Sequence, residues 1–150
     1  MNKPYYDENA LPWVVNYVRK SGIYSGIAVD PEYPVEQMLL VKQLWHKAKG
    51  RQVRHFFLTF GPAEDVTIDE AMEYGCKIAE YYGDRFQIVF GVHLNTGHIH
   101  LHFAFNTVSY VDGKMYSEGY GDWLKFRNYV QSLFPKWLVD FSVSVGNQYP

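Results

Sequence analysis

Cysteine is nearly absent from this chain, which has a single one, Cys76, among 150 residues. One cysteine forms neither an intrachain disulfide framework nor a cysteine-based metal site. Long apolar runs are missing as well, and none approaches the ~18–20 residues that span a bilayer. The segment from Met1 to Asp7 lacks the apolar stretch of a secretory signal. We therefore expect a cytoplasmic protein that has no membrane partner.

An excess of positive charge is also missing, because the formal net charge is −2. This balance argues against indiscriminate binding of nucleic acid, which usually requires a basic surface. The charge is unevenly distributed, however. Residues 42–54 contain five lysines and arginines and no acid, whereas residues 63–84 are rich in acids. The basic segment can still contact a phosphate backbone.

The order of hydrophobic patterns predicts one α+β domain over residues 1–150. We expect a central antiparallel sheet of about five strands with helices packed on one face. The segment 23–34 is predicted as turns, with two prolines. The predicted helices cover 7–20, 35–48, 67–82 and 121–133, and the predicted strands cover 53–60, 86–94, 98–110, 114–116 and 139–145.

Four of the six histidines, namely His93, His98, His100 and His102, lie within ten residues. The last three alternate with apolar residues, so on a strand they share one face. A turn at Asn95-Thr96-Gly97 brings His93 back beside them. Three neutral imidazoles can bind a divalent cation, or one imidazole can attack a phosphorus atom. The pattern itself leaves both chemistries open.

The run from His98 to Ala104 resembles the histidine-triad nucleotide hydrolases and transferases. That resemblance implies metal-independent attack on phosphorus by His100 or His102. Two features depart from the family. The Gly-Gln pair expected just before the triad is absent, and about fifty residues follow it.

A longer set of segments resembles the relaxases, the plasmid mobilisation nucleases among the HUH endonucleases. The resemblance begins with the strand Val53–Pro62 and the helix that starts at Thr67. It continues through His93 and His98–Asn106 to the hairpin Asp112–Ser117. These segments occur in the family's order over residues 10–134, which is nearly the whole chain.

The relaxase resemblance implies that His93, His100 and His102 bind Mg²⁺ or Mn²⁺, with His98 orienting a ligand or phosphate as a catalytic neighbour. Ligation by imidazole alone suits Zn²⁺ or another transition metal better. Many family members have an aspartate shortly after the first histidine, where this chain has Leu94-Asn95-Thr96. That departure removes none of the three ligands.

The same resemblance implies that Tyr17, in the N-terminal helix, is the nucleophile. Replication initiators and small transposases place theirs after the histidines, where this chain has Tyr129. His55, on a neighbouring strand, either faces the site or serves in packing.

Relaxase chemistry would nick single-stranded DNA at a transfer origin through a covalent 5′-phosphotyrosine intermediate. Accessory mobilisation proteins are further expected partners. A domain that only binds origin DNA, without cleaving it, is the non-enzymatic alternative. The candidate DNA contacts are Lys47, Lys49, Arg51, Arg54 and Lys114.

Overall fold

A computed structural model describes residues 5–62, 66–95, 97–134 and 139–143. Five antiparallel strands form one sheet in the order β1-β3-β4-β2-β5. The predicted α+β class and central antiparallel sheet are confirmed. The elements are α1 (Ala10–Arg19), β1 (Tyr24–Ile27), α2 (Pro34–Leu44), β2 (Val53–Pro62), α3 (Ile68–Gly83), β3 (Ile88–Asn95), β4 (His98–Asn106), α4 (Tyr120–Ser132) and β5 (Val139–Val143).

The helices cover both faces of the sheet, and the predicted placement on one face was wrong. Alternate residues of a strand point to opposite faces. In β4, Phe103 and Phe105 belong to the core beneath α3 and α4, whereas Ala104 belongs to the core beneath α1 and α2. The continuous run Phe103-Ala104-Phe105 is the signature of a strand buried on both faces.

A close approach of α1 to the sheet depends on Gly91 in β3. A Cβ atom at this position would lie 2.3 Å from the carbonyl oxygen of Val18, near the end of α1. Any larger residue would therefore push the helix away from the sheet. The apolar stripe of α1, which includes Val14 and Val15, is fully buried on this face. The helix is thus fixed at short range above β3 and β4.

The sequence predicts turns over 23–34, and this prediction was wrong for Tyr24–Ile27, which forms strand β1. Its four residues, Tyr24–Ile27, include Ser25 and Gly26 and show no apolar alternation. Pairing with β3 at the sheet edge forms the strand. The predicted strand at 114–116 is reduced to a single bridge between Val108 and Met115.

The helix prediction at 67–82 is confirmed, with the Thr67 and Glu70 capping box formed as expected. Across the described ranges, no helix is both long and apolar enough to cross a membrane.

Candidate active site

Tyr17 projects from α1 onto the histidine face of the sheet. Its ring centroid lies 4.7 Å from that of His93, 5.1 Å from that of His102 and 6.2 Å from that of His55. The side chain is partly exposed. Its hydroxyl forms no hydrogen bond with any described residue. The phenol oxygen is therefore available to a reactant at the edge of a histidine cluster.

The hairpin of β3 and β4 sets the positions of the four histidines. His93 lies directly opposite His100, and the rings of His93 and His102 are 4.4 Å apart between centroids. His93, His100 and His102 are therefore brought together, as the spacing predicts. His98 lies nearer the turn, opposite Asn95, and it is not among the rings that contact Tyr17.

Each of the three clustered imidazoles has one ring nitrogen held by the protein. His93 Nε2 lies 3.2 Å from the carbonyl oxygen of Val18, which can only accept, so this nitrogen bears the proton. His100 Nδ1 lies 3.1 Å from Thr59 Oγ1, and His102 Nδ1 lies 3.1 Å from His55 Nε2. Outer contacts of this kind orient imidazole ligands in metal sites.

Burial favours the uncharged form of His93 and His102. It lowers the pKa of His102 strongly and that of His93 as well, with neighbouring histidines and Lys20 adding to the effect. The pKa of His55 falls to about 4, first through burial and then through the charge of His93 and Arg54. Neutral imidazole is the form that binds a metal ion.

The donor chemistry of this cluster fits a divalent cation. Three imidazoles, each with one ring nitrogen held by the protein, are ligands of the kind that a divalent cation takes. Across the described residues, however, no three His, Cys, Asp or Glu side chains are arranged as an assembled metal site. The types of ligand present therefore suit a divalent cation, and ligation by imidazole alone favours a transition metal.

Two further residues lie at this face, namely His55, for which the sequence left a site position and a packing role open, and Lys20, which was not predicted as a site residue. His55 is 1% exposed and stacks on His102 at 5.4 Å between centroids. Lys20 Nζ lies 4.6 Å from the centroid of the Tyr17 ring. His55 and Phe57 are two residues apart in β2, so their side chains lie on the same face of the sheet, where both rings stack on His102. Lys20 is three residues from Tyr17 on the same helical surface, a spacing visible in the sequence.

Comparison with known proteins decides the family. A sequence model of a protein family matches residues 14–137, and the family is described as "Relaxase: MobA/VirD2-like, nuclease domain". The chain belongs to this relaxase family. It is also 24% identical over 104 residues to Protein rlx of Staphylococcus aureus, covering 69% of this chain and 31% of that protein. The chain thus spans about a third of that relative's length. No solved structure matches.

This family membership favours the relaxase interpretation over the histidine-triad one. Within the relaxase domain, Tyr129 is far from the histidines in the fold. It lies on α4, packs against Tyr81 and donates its hydroxyl proton to the Lys77 carbonyl oxygen, on the opposite face of the sheet. Of the two candidate nucleophiles, only Tyr17 contacts the histidine cluster.

The predicted DNA contacts lie away from Tyr17, toward the Asn106 end of β4. Lys47 donates to the Gly113 carbonyl oxygen, and Lys49 lines the same space in the segment that follows α2. The Arg51 carbonyl accepts from Thr107 Oγ1. Arg54 and Lys114 lie on the α3 face, near Tyr116 and Glu118.

Proposed function

We propose that this relaxase domain cleaves one strand of DNA at a specific site by forming a covalent bond between Tyr17 and the 5′ phosphate. The observation that supports this most strongly is the position of Tyr17. It is a partly exposed phenol whose hydroxyl makes no hydrogen bond with the described residues, above a cluster of neutral imidazoles. A phosphodiester can approach that oxygen without displacing a partner.

In the proposed reaction, the Tyr17 oxygen attacks the scissile phosphorus and forms a new P–O bond. The bond from phosphorus to the 3′ oxygen breaks, and that oxygen leaves with a proton to give a free 3′-OH. The tyrosine loses its proton in the same step. One phosphodiester bond replaces another, so a 3′-OH can later reverse the reaction and rejoin the strands.

Tyr17 requires activation for this chemistry. Burial raises its pKa above the usual value, so the phenolate is scarce at neutral pH. The charge of Lys20, 4.6 Å from the ring centroid, favours the anionic phenol and the phosphate. His93, His100 and His102 would hold a divalent cation, Mg²⁺ or Mn²⁺ by family resemblance and Zn²⁺ or another transition metal by donor type. When bound, such a cation neutralises phosphate charge.

His55 is a positioning residue for His102 in this proposal. For His102 to offer Nε2 as a ligand, its Nδ1 must bear the proton and donate it to His55 Nε2. The distance of 3.1 Å between these atoms permits that bond. His55 then bears its own proton on Nδ1, a buried atom without a partner in the described structure. His98, nearer the turn, would contact the phosphate rather than the cation.

The remaining parts of the proposal concern DNA recognition. Single-stranded DNA at a transfer origin is the expected substrate, and accessory mobilisation proteins are expected partners. Lys47, Lys49, Arg51, Arg54 and Lys114 are the proposed phosphate contacts. Of these, Lys47 and Lys49 follow α2, which shares a core with the α1 helix of Tyr17, whereas Arg54 and Lys114 lie near Tyr116 on the other face.

A covalent-capture assay tests the nuclease proposal. The protein is incubated with labelled single-stranded DNA from its own replicon's transfer region and Mn²⁺, then separated on a denaturing gel. We expect an adduct band that disappears with Tyr17→Phe and with EDTA. Tyr129→Phe is the matched control, because it removes a hydroxyl on the opposite face.

Each result of this assay has a distinct meaning. Loss of the adduct with Tyr129→Phe instead would assign the nucleophile to α4 and contradict the proposal. DNA binding that persists in Tyr17→Phe, with no adduct in the unmodified protein, would indicate a domain that only binds origin DNA. If no adduct forms, a separate assay of nucleotide conjugates in EDTA tests the histidine-triad interpretation, which metal-independent hydrolysis would support.

A further inference from the structure

Lys42, in α2, is a buried cation without a carboxylate partner. The residue is 3% exposed, and its Nζ forms one long hydrogen bond of 3.4 Å to Thr107 Oγ1. Burial lowers the pKa of Lys42 to about 8. Within the described ranges, no carboxylate lies at ion-pair distance from it. An ammonium group removed from water in this way is costly unless an anion compensates it.

A cavity of about 460 Å³ adjoins Lys42 at the end of α2. Its lining consists of Lys42, Gln43, His46, Lys47, Ala48 and Lys49, with three lysines and no acid. The chain turns sharply here, since His46 adopts a φ of 56°, in the left-handed region that non-glycine residues rarely occupy. Lys47 is held by its 2.8 Å bond to the Gly113 carbonyl oxygen. Several positive charges therefore surround this space, and the described residues that line it include no acid.

We propose that this cavity binds a phosphate group, with Lys42 as its buried cation. A phosphate supplies the negative charge that the lining lacks, and its oxygens accept from an ammonium whose donors are incompletely used. Lys47 and Lys49 lie around the same space at its solvent side. A free phosphate ion and a DNA phosphodiester share this chemistry.

The placement of the cavity favours a phosphodiester of the DNA strand, an assignment that rests on the proposed function. Helix α2 shares the core beneath it with α1, the helix that bears Tyr17. Thr107, the hydrogen-bond partner of Lys42, is five residues beyond His102, which corresponds to about 17 Å along an extended chain. A single strand with its scissile phosphate at Tyr17 can extend over this layer to the cavity.

The salt dependence of DNA binding tests this site without cleavage. Binding of a labelled single strand is measured by fluorescence anisotropy in EDTA over a range of salt concentrations. Lys42→Met removes the charge and keeps the apolar stem. Each phosphate contact contributes about 0.7 to the slope of log affinity against log salt for single strands, so we expect a decrease of about 0.7. Lys125→Met, at an exposed position on α4, should leave the slope unchanged.

A second measurement uses inorganic phosphate as the probe. We expect phosphate to raise the thermal midpoint of the unmodified protein more than that of Lys42→Met, with chloride at equal ionic strength as the reference. Protection by phosphate with an unchanged DNA slope would support the site and assign it to a free phosphate group. Equal DNA slopes together with equal phosphate effects would overturn the proposal.

Folding of the variant is checked by circular dichroism. If Lys42→Met does not fold, Lys49→Gln changes an exposed residue of the same cavity and should produce the same decrease in slope. The outcome is separable from that of the covalent-capture assay, since no cleavage occurs in EDTA. A reduced slope without any adduct would retain the phosphate site and reject the nuclease.

Discussion

The two faces of the sheet differ sharply in what they bury. The face beneath α3 and α4 is packed with stacked aromatic rings, such as Phe56 on Phe103 at 4.6 Å between centroids. The face beneath α1 contains the imidazoles of His55, His93 and His102. Burial of aromatic rings stabilises the fold, whereas burial of polar rings costs free energy unless each is hydrogen-bonded. One face thus supplies the stability that allows the other to hold a chemically useful cluster.

The difference between the two faces follows from the alternation of side-chain direction along each strand. His102 and Phe103 are adjacent in β4, and both are buried, yet they belong to opposite faces. A single residue step therefore separates a position that stabilises the core from one that we propose to be functional. Substitutions at neighbouring positions should separate the two roles in experiment.

The largest expected effect comes from comparing Phe103→Ala with His102→Ala. Phe103→Ala removes a fully buried ring, and such changes lower the free energy of unfolding by about 3–5 kcal/mol. His102→Ala should cost less, about 1–3 kcal/mol, because its main consequence is to leave His55 Nε2 without its partner. Urea unfolding measures both values.

Adduct formation and Mn²⁺ binding should show the reverse order, with the larger loss in His102→Ala and the smaller loss in Phe103→Ala. The His102→Ala protein should lose the covalent adduct and Mn²⁺ binding, whereas Phe103→Ala should retain both at temperatures where it is folded. Retention of full activity by His102→Ala would remove this histidine from the site. A larger stability loss for His102→Ala than for Phe103→Ala would contradict the contrast between the faces.

The next effect concerns the approach of α1 to the sheet. Gly91→Ala would place a Cβ atom 2.3 Å from the Val18 carbonyl oxygen, a backbone atom that must move. Overpacking of this kind costs about 1–3 kcal/mol, and the same carbonyl accepts the His93 hydrogen bond. We expect a lower melting temperature together with a loss of adduct formation in protein that is still folded.

Gly121→Ala is the matched control for that change, because a Cβ atom at Gly121 meets nothing within 4 Å. It should leave adduct formation intact. If Gly91→Ala were as active as Gly121→Ala, the close seating of α1 would not be needed to place Tyr17.

A smaller effect is expected from the bond between His55 and His102. His55→Phe removes the acceptor for His102 Nδ1, and the loss of such an outer contact typically weakens metal binding 10–100-fold, roughly. His55→Gln retains an amide oxygen that can accept, so it should remain closer to the unmodified protein. Titration calorimetry with Mn²⁺ and Zn²⁺ gives the affinities.

Nitrogen NMR of the metal-free protein adds a readout that packing alone would not change. We expect the proton of His102 on Nδ1 in the unmodified protein and in His55→Gln, and on Nε2 in a larger fraction of His55→Phe. Equal affinities and equal tautomers for the two variants would reduce His55 to a packing residue.

The parts of this structure that the sequence predicted are those encoded by local patterns. The capping box at Thr67 and Glu70 depends on residues three apart, and it formed as expected. The pairing of His93 with His100 follows from the turn between their strands. Strand β1 could not be predicted in this way, since its pairing with β3 is a long-range contact and Gly26 weakens its local strand signal.

The candidate site shows the same limit. Its histidines on one hairpin were accessible to spacing arguments, whereas the choice between Tyr17 and Tyr129 depended on which face of the sheet each helix covers. His55 lies on β2, and its contact with His102 spans 47 residues. Helix placement and contacts between distant strands are settled by packing, which one sequence does not display.

The last expected effect is a pH dependence of stability that originates on the α1 face. The pKa of His55 is lowered to about 4, whereas an unfolded histidine titrates near 6.5. Below about pH 6.5, His55 binds a proton in the unfolded chain but not in the native protein. The free energy of unfolding therefore decreases with falling pH until about pH 4. The slope from this residue is at most about 1.4 kcal/mol per pH unit.

Urea unfolding in EDTA between about pH 7 and 5 should give a steeper loss for the unmodified protein than for His55→Phe. Parallel curves would mean that native His55 accepts a proton as readily as an unfolded histidine, and its face of the sheet would then be solvated rather than closed by α1.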